Sequence, residues 1–246
     1  MNSSKKSILN SNFTYLAAFA LPVIMMMALY YTRGIFPWGN ECYLRSDMYH
    51  QYAPFFSELW HKIRNGESLT YSWNIGMGTN FTSLFAYYLA SPSNWFVALF
   101  PQKYTIEIMN AFIILKIAGS SLSLTYYLTK HNNNKHVIAA IFGMFYGMSG
   151  FIAAYSWNIM WLDCVILIPL IMLGLERLVN ENRCIFYCIT LGLCIFTNYY
   201  IAIMVCLSVV IYYVVLMIAY NGIKSPMQYV KKFINFCVYS LLAGGL

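Results

Sequence analysis

Long apolar runs separated by short polar breaks are the feature that most restricts how this chain can fold. Sixty per cent of its 246 residues are hydrophobic and 9% are charged, whereas about 25% of the residues in soluble domains are charged. The longest run, residues 137–179, exceeds what one helix needs to cross about 30 Å of hydrocarbon. It breaks at residues 155–161, a turn with two tryptophans and no Lys or Arg, so it predicts two spans. The pattern therefore predicts an all-α, polytopic membrane helix bundle.

The other runs extend this prediction to about seven spans. We place a polar cytoplasmic tail at residues 1–12 and a long extracytoplasmic loop at residues 32–103, within a membrane module that covers residues 13–246. The first run is too long for a secretory leader and lacks a small-residue cleavage site, so it is expected to be retained. The last span stops abruptly, so we expect the chain to be truncated. The predicted spans are residues 13–31, 104–128, 137–154, 162–179, 184–197, 201–220 and 233–246.

The distribution of basic residues predicts the orientation of the chain in the cell membrane. Cytoplasmic loops of membrane proteins carry an excess of Lys and Arg, and nine of the fifteen basic residues fall in the tail and in every second loop. The amino terminus is therefore expected in the cytoplasm and the long loop outside. The net charge of +7 follows from this sorting and gives no support to nucleic-acid binding. The nine residues are Lys5, Lys6, Lys130, Lys135, Arg177, Arg183, Lys224, Lys231 and Lys232.

The long loop has the pattern of an ordered segment rather than a tether. Residues 54–65 form an amphipathic helical pattern that stops at Gly66 and is expected to lie in the membrane interface. Residues 84–100 are apolar but broken by Ser91-Pro92-Ser93, which predicts a second interfacial or re-entrant helix. Gly76 and Gly78 permit a tight turn between the two. The first helix has an apolar side of Phe55, Phe56, Leu59, Trp60 and Ile63, and a polar side of Glu58, His61, Lys62 and Arg64.

Asp47, in the most polar part of the loop, is the candidate catalytic residue. Five of the eight acidic residues lie between positions 41 and 107, and the sequence has one other aspartate, Asp163. A carboxylate at an apolar boundary is poorly solvated, so it becomes more basic and can take a proton from an attacking hydroxyl. The alternative is a helix cap before Pro54, since Ser and Asp are common caps. Three following residues either orient an acceptor or are solvated loop residues: His50, Gln51 and Tyr52.

Charged residues near the predicted spans are candidates for substrate binding. Lys116 falls near the middle of the second span, where a charge usually faces a cavity or an anionic partner, here a carboxylate or a lipid phosphate. Asp163 at the outer mouth of the fourth span is either a plain boundary residue or shares a substrate with Asp47. Arg45 can bind phosphate, and Arg33 is expected to snorkel to the interface.

Motifs for metal, cofactor or nucleotide chemistry do not occur in the sequence. The seven cysteines contain no C-x-x-C pair, and there is no His-Glu-x-x-His, Walker loop or G-x-S-x-G sequence. No cofactor and no metal site are therefore predicted, and a divalent ion is left open only between Asp47 and Asp163.

Three segments, taken in their order along the chain, resemble the YfhO-like bacterial membrane proteins. They are SDMYHQYAPFF at residues 46–56, WNIGMG at residues 73–78, and WNIMWLD at residues 157–163, the last followed by Ile168-Pro169-Leu170. That family is similar to glycosyltransferases of the GT-C type. These are many-spanning enzymes that transfer a sugar from a polyprenyl-phosphate carrier to an extracytoplasmic acceptor.

The resemblance implies a site and its substrates. The first outer loop should hold two interfacial helices and an essential acidic residue, a position that Asp47 matches. The implied acceptor is a cell-surface glycopolymer such as lipoteichoic acid, reached from the lipid bilayer. Family members are several times longer, so donor or acceptor determinants are expected outside this chain. The candidate substrate-binding residues are Arg45, His50, Gln51, Tyr52, Lys116, Asn158 and Asp163.

Two other classes of function remain compatible with the sequence. One is a transporter of lipid-linked glycan, in which Asp163 and Lys116 line a pathway and the outer loop is a gate. The other is a non-catalytic scaffold of wall-polymer assembly.

Overall fold

The structure, a computed structural model, is a bundle of apolar helices with a folded segment over one end. It describes residues 2–133, 137–219 and 225–245, with side chains from residue 12 onward. Residues 71–72 (β1) and 79–80 (β2) form a small antiparallel hairpin. The prediction of an all-α membrane helix bundle is confirmed. The helices are α1 (Asn2–Thr32), α2 (Ala53–Asn65), α3 (Phe81–Leu84), α4 (Thr105–His131), α5 (Ile138–Gly147), α6 (Gly150–Tyr155), α7 (Leu162–Glu181), α8 (Ile185–Thr197), α9 (Tyr199–Ala219) and α10 (Pro226–Gly244).

Five helical stretches in the described residues are long and apolar enough to cross a membrane. They coincide with five of the seven predicted spans. The other two predictions fall on α8, whose 13 residues give a rise of about 20 Å, and on α10. The five stretches are Asn12–Thr32, Gln102–His131, Ile138–Tyr155, Ile159–Glu181 and Tyr199–Ala219.

Several predicted boundaries differ from the structure. The tail predicted at residues 1–12 is helical from Asn2, because α1 continues without a break into the apolar run. The third predicted span is divided between α5 and α6 at Met148 and Ser149, where Ser149 has an extended backbone. The last helix begins at Pro226 rather than at residue 233, so Lys231 and Lys232 lie inside it. Lys135, Lys224 and the end of the last span at Leu246 fall outside the described residues.

Helix α4 is the centre of the bundle and contacts α1, α5 and α7 most extensively. Its contact with α5 is close because Gly143 and Gly147 are spaced one turn apart on α5. A Cβ at Gly143 would stand 2.1 Å from the Thr125 hydroxyl, and one at Gly147 would stand 2.8 Å from the Ile117 carbonyl oxygen. Small residues four apart allow this approach between membrane helices. The pairing fixes the depth of α4, which carries Lys116.

Two prolines inside helices leave backbone carbonyls without helical partners, and neighbouring helices supply donors. Pro22 in α1 cannot bond the carbonyl of Ala18, which instead accepts a hydrogen bond from Ser121 Oγ at 2.6 Å. Pro169 in α7 frees the carbonyl of Val165, which accepts from Tyr146 Oη at 2.7 Å. Since hydrocarbon offers no water to such groups, these two bonds hold α1 and α7 in register with their neighbours.

Replacing Ser121 by Ala is expected to destabilise the bundle, because it leaves the buried Ala18 carbonyl unpaired. The expected loss in unfolding free energy is about 1–3 kcal/mol, measured by reversible unfolding in mixed detergent micelles. Ser120→Ala is the matched control, since the Ser120 hydroxyl is equally buried but bonds the Lys116 carbonyl of its own helix. Equal losses for the two variants would contradict the role given to Ser121.

Residues 33–104 cover one end of the bundle, which we call the loop end. The helix predicted at residues 54–65 is present as α2, and Gly66 ends it in a left-handed conformation with φ of 66°. Phe55, Phe56 and Leu59 are buried against the bundle, as predicted from the apolar side. The buried apolar side of α2 fixes the turn that precedes it, which contains the candidate site residues 47–52.

The polar side of α2 is only partly accessible to solvent, since Arg64 is exposed but two of its other residues are covered. Glu58 and Lys62 are buried beneath the hairpin. Glu58 accepts hydrogen bonds from the Ser72 hydroxyl at 2.6 Å and the Asn74 amide at 3.0 Å, and Lys62 donates to the Tyr71 carbonyl at 2.8 Å. These polar groups anchor the hairpin, so a helix that looks amphipathic in sequence is covered on two sides.

The second predicted interfacial helix at residues 84–100 is several short pieces. A π-helical turn at residues 85–89 follows α3, and a 3₁₀ helix occupies residues 92–99. Ser91 has an extended backbone between them, because a residue before proline avoids the helical region. Three aromatic residues, Phe85, Tyr87 and Tyr88, lie in the turn before this break.

Candidate functional site

The turn between α6 and α7, residues 156–161, ties the loop end to the bundle. Tyr52 is buried and donates a hydrogen bond to Asn158 Oδ1 at 2.9 Å, and its ring stacks on Trp157 at 6.2 Å and 10°. The hydroxyls of Tyr43 and Ser156 lie 2.6 Å apart. Two of the predicted site residues, Tyr52 and Asn158, therefore contact each other although they lie far apart in the sequence.

Gln51 connects the same turn to the aromatic residues after α3. Its amide donates to the Tyr88 hydroxyl at 3.1 Å. The Tyr88 ring packs beside Tyr52 at 5.4 Å and against Tyr87 at 4.6 Å in an edge-on arrangement. The Tyr87 carbonyl accepts from the buried amide of Asn198 at 3.0 Å. The turn before α2 and the start of α9 are thereby held on either side of these rings.

Lys116 and Asp163, predicted near spans two and four, form a buried ion pair. Lys116 Nζ lies 2.7 Å from Asp163 Oδ2 and donates to the Ile159 carbonyl at 3.2 Å. Their side chains are 5% and 14% exposed. The anionic partner of Lys116 in the structure is thus a carboxylate, and the pair fixes the start of α7 against α4.

Asp47 lies one helical turn before Gln51, close enough to the phenols of Tyr52 and Tyr88 to act on both electrostatically. Its side chain makes no capping hydrogen bond, although it precedes the helical turn of residues 48–52, so the structure does not support the cap alternative. Burial raises the pKa of Tyr52 above its usual value, and Tyr88, Asp47 and Tyr87 add to the rise. Burial and Tyr87 raise the pKa of Tyr88 as well, and Asp47 contributes. The carboxylate therefore lies within electrostatic range of both rings.

The four predicted residues that flank or follow Asp47 differ in their accessibility, since Tyr52 is buried and Gln51 half-buried. Asp47, Arg45 and His50 are exposed, and His50 packs edge-on against the ring of Tyr49 at 5.3 Å. Within the described part of the chain, Arg45 makes no ion pair. The Asp47 carboxylate and the Arg45 guanidinium are therefore both accessible at the surface of the loop end, and the poor solvation expected of Asp47 from the sequence is not observed.

A groove of about 550 Å³ opens between α2, the hairpin and α9. One of its lining residues, Gln51, follows Asp47 by one helical turn. Gln51 and Tyr88 line it together with Tyr87, Asn80 and Tyr199. Its volume lies in the range of about 300–1,000 Å³ that is usual for small-molecule sites. Hydroxyl and amide groups along its wall can bind a polar ligand.

Two buried donors at the turn have no partner among the described residues. They are Asn158 Nδ2 and Trp161 Nε1. Buried polar groups in folded proteins almost always have a partner, so each of these donors marks a point where a ligand oxygen or water can bind. Asn158 was predicted as a substrate-binding residue, and Trp161 was not.

Sequence reasoning missed two groups of polar residues. The tyrosines of the groove, Tyr87, Tyr88 and Tyr199, are signalled only as aromatic residues beside breaks in apolar runs. Glu176 is buried in α7 and accepts hydrogen bonds from Tyr127 and His131 at 2.8 and 2.9 Å. An acidic residue inside an apolar run is the signal that could have found it.

The apolar bundle with a folded loop end defines a polytopic α-helical membrane protein. More specifically, the chain belongs to the family described as bacterial membrane protein YfhO, whose family model matches residues 17–246. No curated protein and no solved structure matches the chain at a significant level.

Proposed function

We propose that this protein is a membrane glycosyltransferase of the GT-C type. It transfers a sugar from a polyprenyl-phosphate donor in the cell membrane to an extracytoplasmic glycopolymer such as lipoteichoic acid. The observation that carries the proposal is the position of Asp47. An exposed carboxylate lies one helical turn before Gln51, which lines a groove with amide and hydroxyl groups, and the bundle beneath has helices long and apolar enough to cross a membrane.

The proposed reaction is a single displacement. An acceptor hydroxyl attacks the anomeric carbon of the donor sugar as Asp47 takes the hydroxyl proton. The bond from the anomeric carbon to the phosphate oxygen breaks, and polyprenyl phosphate leaves with the electron pair. Attack opposite the leaving group inverts the anomeric centre. His50 at the surface and Gln51 and Tyr52 on the same turn would orient the acceptor.

Arg45 is the cation that we assign to the departing phosphate. It is exposed and lies two residues before Asp47, and a guanidinium can bind phosphate through two parallel hydrogen bonds. Lys116 is already neutralised by Asp163. We therefore assign Lys116 and Asp163 to the positioning of the turn that carries Asn158, rather than to direct contact with phosphate.

Sugar transfer by the purified protein tests the proposal. The complete gene product is reconstituted in vesicles with a radiolabelled polyprenyl-phosphate sugar and a lipoteichoic acid acceptor. We expect label to enter the polymer in amounts proportional to the protein. Movement of the lipid-linked sugar across the bilayer without transfer would instead support a transporter, for which the buried polar cluster around Glu176 is the favouring observation. If neither transfer nor transport is detected, the result favours the non-catalytic scaffold.

A further inference from the structure

The groove that contains Gln51 is lined by aromatic, apolar and uncharged polar side chains. Aromatic rings come from the turn after α3 and from the first residue of α9, and polar groups come from the turn before α2 and from the hairpin. No residue that lines it in the described part of the chain carries a charge. Its principal groups are Gln51, Asn80, Ser83, Tyr87, Tyr88 and Tyr199.

The absence of charged groups from this wall limits the class of ligand. A phosphate or carboxylate is normally held by Arg or Lys, and a divalent cation by several carboxylates. Neither set lines the groove. The negative charge of Asp47, one helical turn before Gln51, acts on Tyr88 and further opposes an anionic ligand.

The hydrogen bonds inside the wall leave both donors and acceptors for a ligand. Tyr88 Oη accepts from the Gln51 amide, so its own proton remains to be donated, and Gln51 Oε1 remains as an acceptor. Asn80 Oδ1 accepts from the Ser83 backbone N–H, which leaves the Asn80 NH₂ group for a ligand. A ligand with several hydroxyls, each both donor and acceptor, matches this set.

The rings are fixed in place before any ligand binds. Tyr87 packs edge-on against Tyr88 at 4.6 Å and against Tyr199 at 5.7 Å. Asn198, which is fully buried, holds the backbone of Tyr87. Aromatic faces held in this way offer a flat apolar surface at little entropic cost, and the C–H face of a pyranose ring is the complementary surface.

We infer that this groove is the binding site for an uncharged sugar residue, presented with one hydroxyl toward Asp47. The inference rests on the proposed function, which identifies the bound sugar as the one that is glycosylated. It adds the substrate class, because a neutral glycan unit of the acceptor occupies the groove. The charged phosphate groups of the donor or the polymer lie outside the groove.

Binding of soluble sugars, measured apart from transfer, tests the inference. Saturation-transfer NMR on the detergent-solubilised complete gene product uses methyl β-glucoside and methyl N-acetyl-β-glucosaminide as probes, with glucose 6-phosphate as the anionic counterpart. We expect at least one neutral glycoside to bind at least tenfold more tightly than glucose 6-phosphate. Equal or tighter binding of the phosphate, or no binding of either glycoside, would overturn the inference.

Three variants localise the binding to the groove. Tyr88→Phe keeps the packing but removes one hydroxyl, and we expect about three- to tenfold weaker glycoside binding. Ser83→Trp, at an exposed position of the wall, fills the groove and should abolish binding even if Tyr88→Phe does not fold. Tyr49→Phe is the control, because Tyr49 is exposed on the same turn but does not line the groove. Unchanged binding in Ser83→Trp would reject the assignment.

The outcomes separate this inference from the proposed function. The probes carry no polyprenyl phosphate and undergo no transfer, so they report only on the groove. Glycoside binding without sugar transfer would leave the groove assignment standing and remove the transferase. Sugar transfer that persists in Ser83→Trp would leave the transferase standing and remove the groove assignment.

Discussion

The Asp47→Asn variant is expected to lose sugar transfer while it inserts and folds normally. An amide cannot take the proton of the attacking hydroxyl, and loss of a general base lowers rates by about 10²–10⁴-fold. Asp47 is exposed and makes no capping bond, so the fold does not depend on its charge. The measurements are the initial rate of label transfer in vesicles and the thermal unfolding temperature of the purified variant.

The control for this experiment is Glu41→Gln. Glu41 is another exposed carboxylate of the loop end, and it does not line the groove. Its neutralisation should leave the rate within about twofold of wild type, because general electrostatic effects between exposed groups are small. A comparable loss in both variants would show that the net charge of the loop end, rather than a base at position 47, governs the rate. Normal transfer by Asp47→Asn would end the assignment of Asp47.

The sequence predicts the helices and helix ends that depend on residues close together in the chain. Apolar runs located the spans, since a helix in hydrocarbon must satisfy its own backbone and be apolar over its length. Gly66 was predicted as the stop of α2, because a left-handed residue is needed there and glycine adopts it freely. These features depend on a few neighbouring residues, so the amino-acid sequence alone predicts them.

Features that depend on distant contacts could not be predicted in this way. Glu58 and Lys62 look solvated on a helical wheel, but they are buried because the hairpin folds back over α2. The contact of Tyr52 with Asn158 joins two segments whose only common signal was the family resemblance. The groove tyrosines come together because Ser91 breaks one helix and Asn198 begins another. Spacing within one segment carries no information on such pairs.

Disruption of the ion pair between Lys116 and Asp163 is expected to have the largest effect on stability. Lys116→Met leaves the carboxylate of Asp163 mostly buried with no cation, and removal of one member of a buried pair costs about 3–5 kcal/mol. It also removes the hydrogen bond to the Ile159 carbonyl. The unfolding free energy in mixed detergent micelles is the quantity to measure.

The double variant Lys116→Met with Asp163→Asn should recover most of that loss. Neutral groups of similar size avoid the desolvation of both charges, so replacement of a whole buried pair is often near neutral. The coupling energy from the double-mutant cycle should therefore be large, about 2–3 kcal/mol. Leu115→Met, an exposed neighbour on α4, serves as the control. Additive losses in the double variant would mean that the two charges act independently. If the double variant regains stability and also transfers sugar, Lys116 and Asp163 position the turn without touching the substrate. If the double variant is stable but does not transfer sugar, at least one of the two residues contacts the substrate.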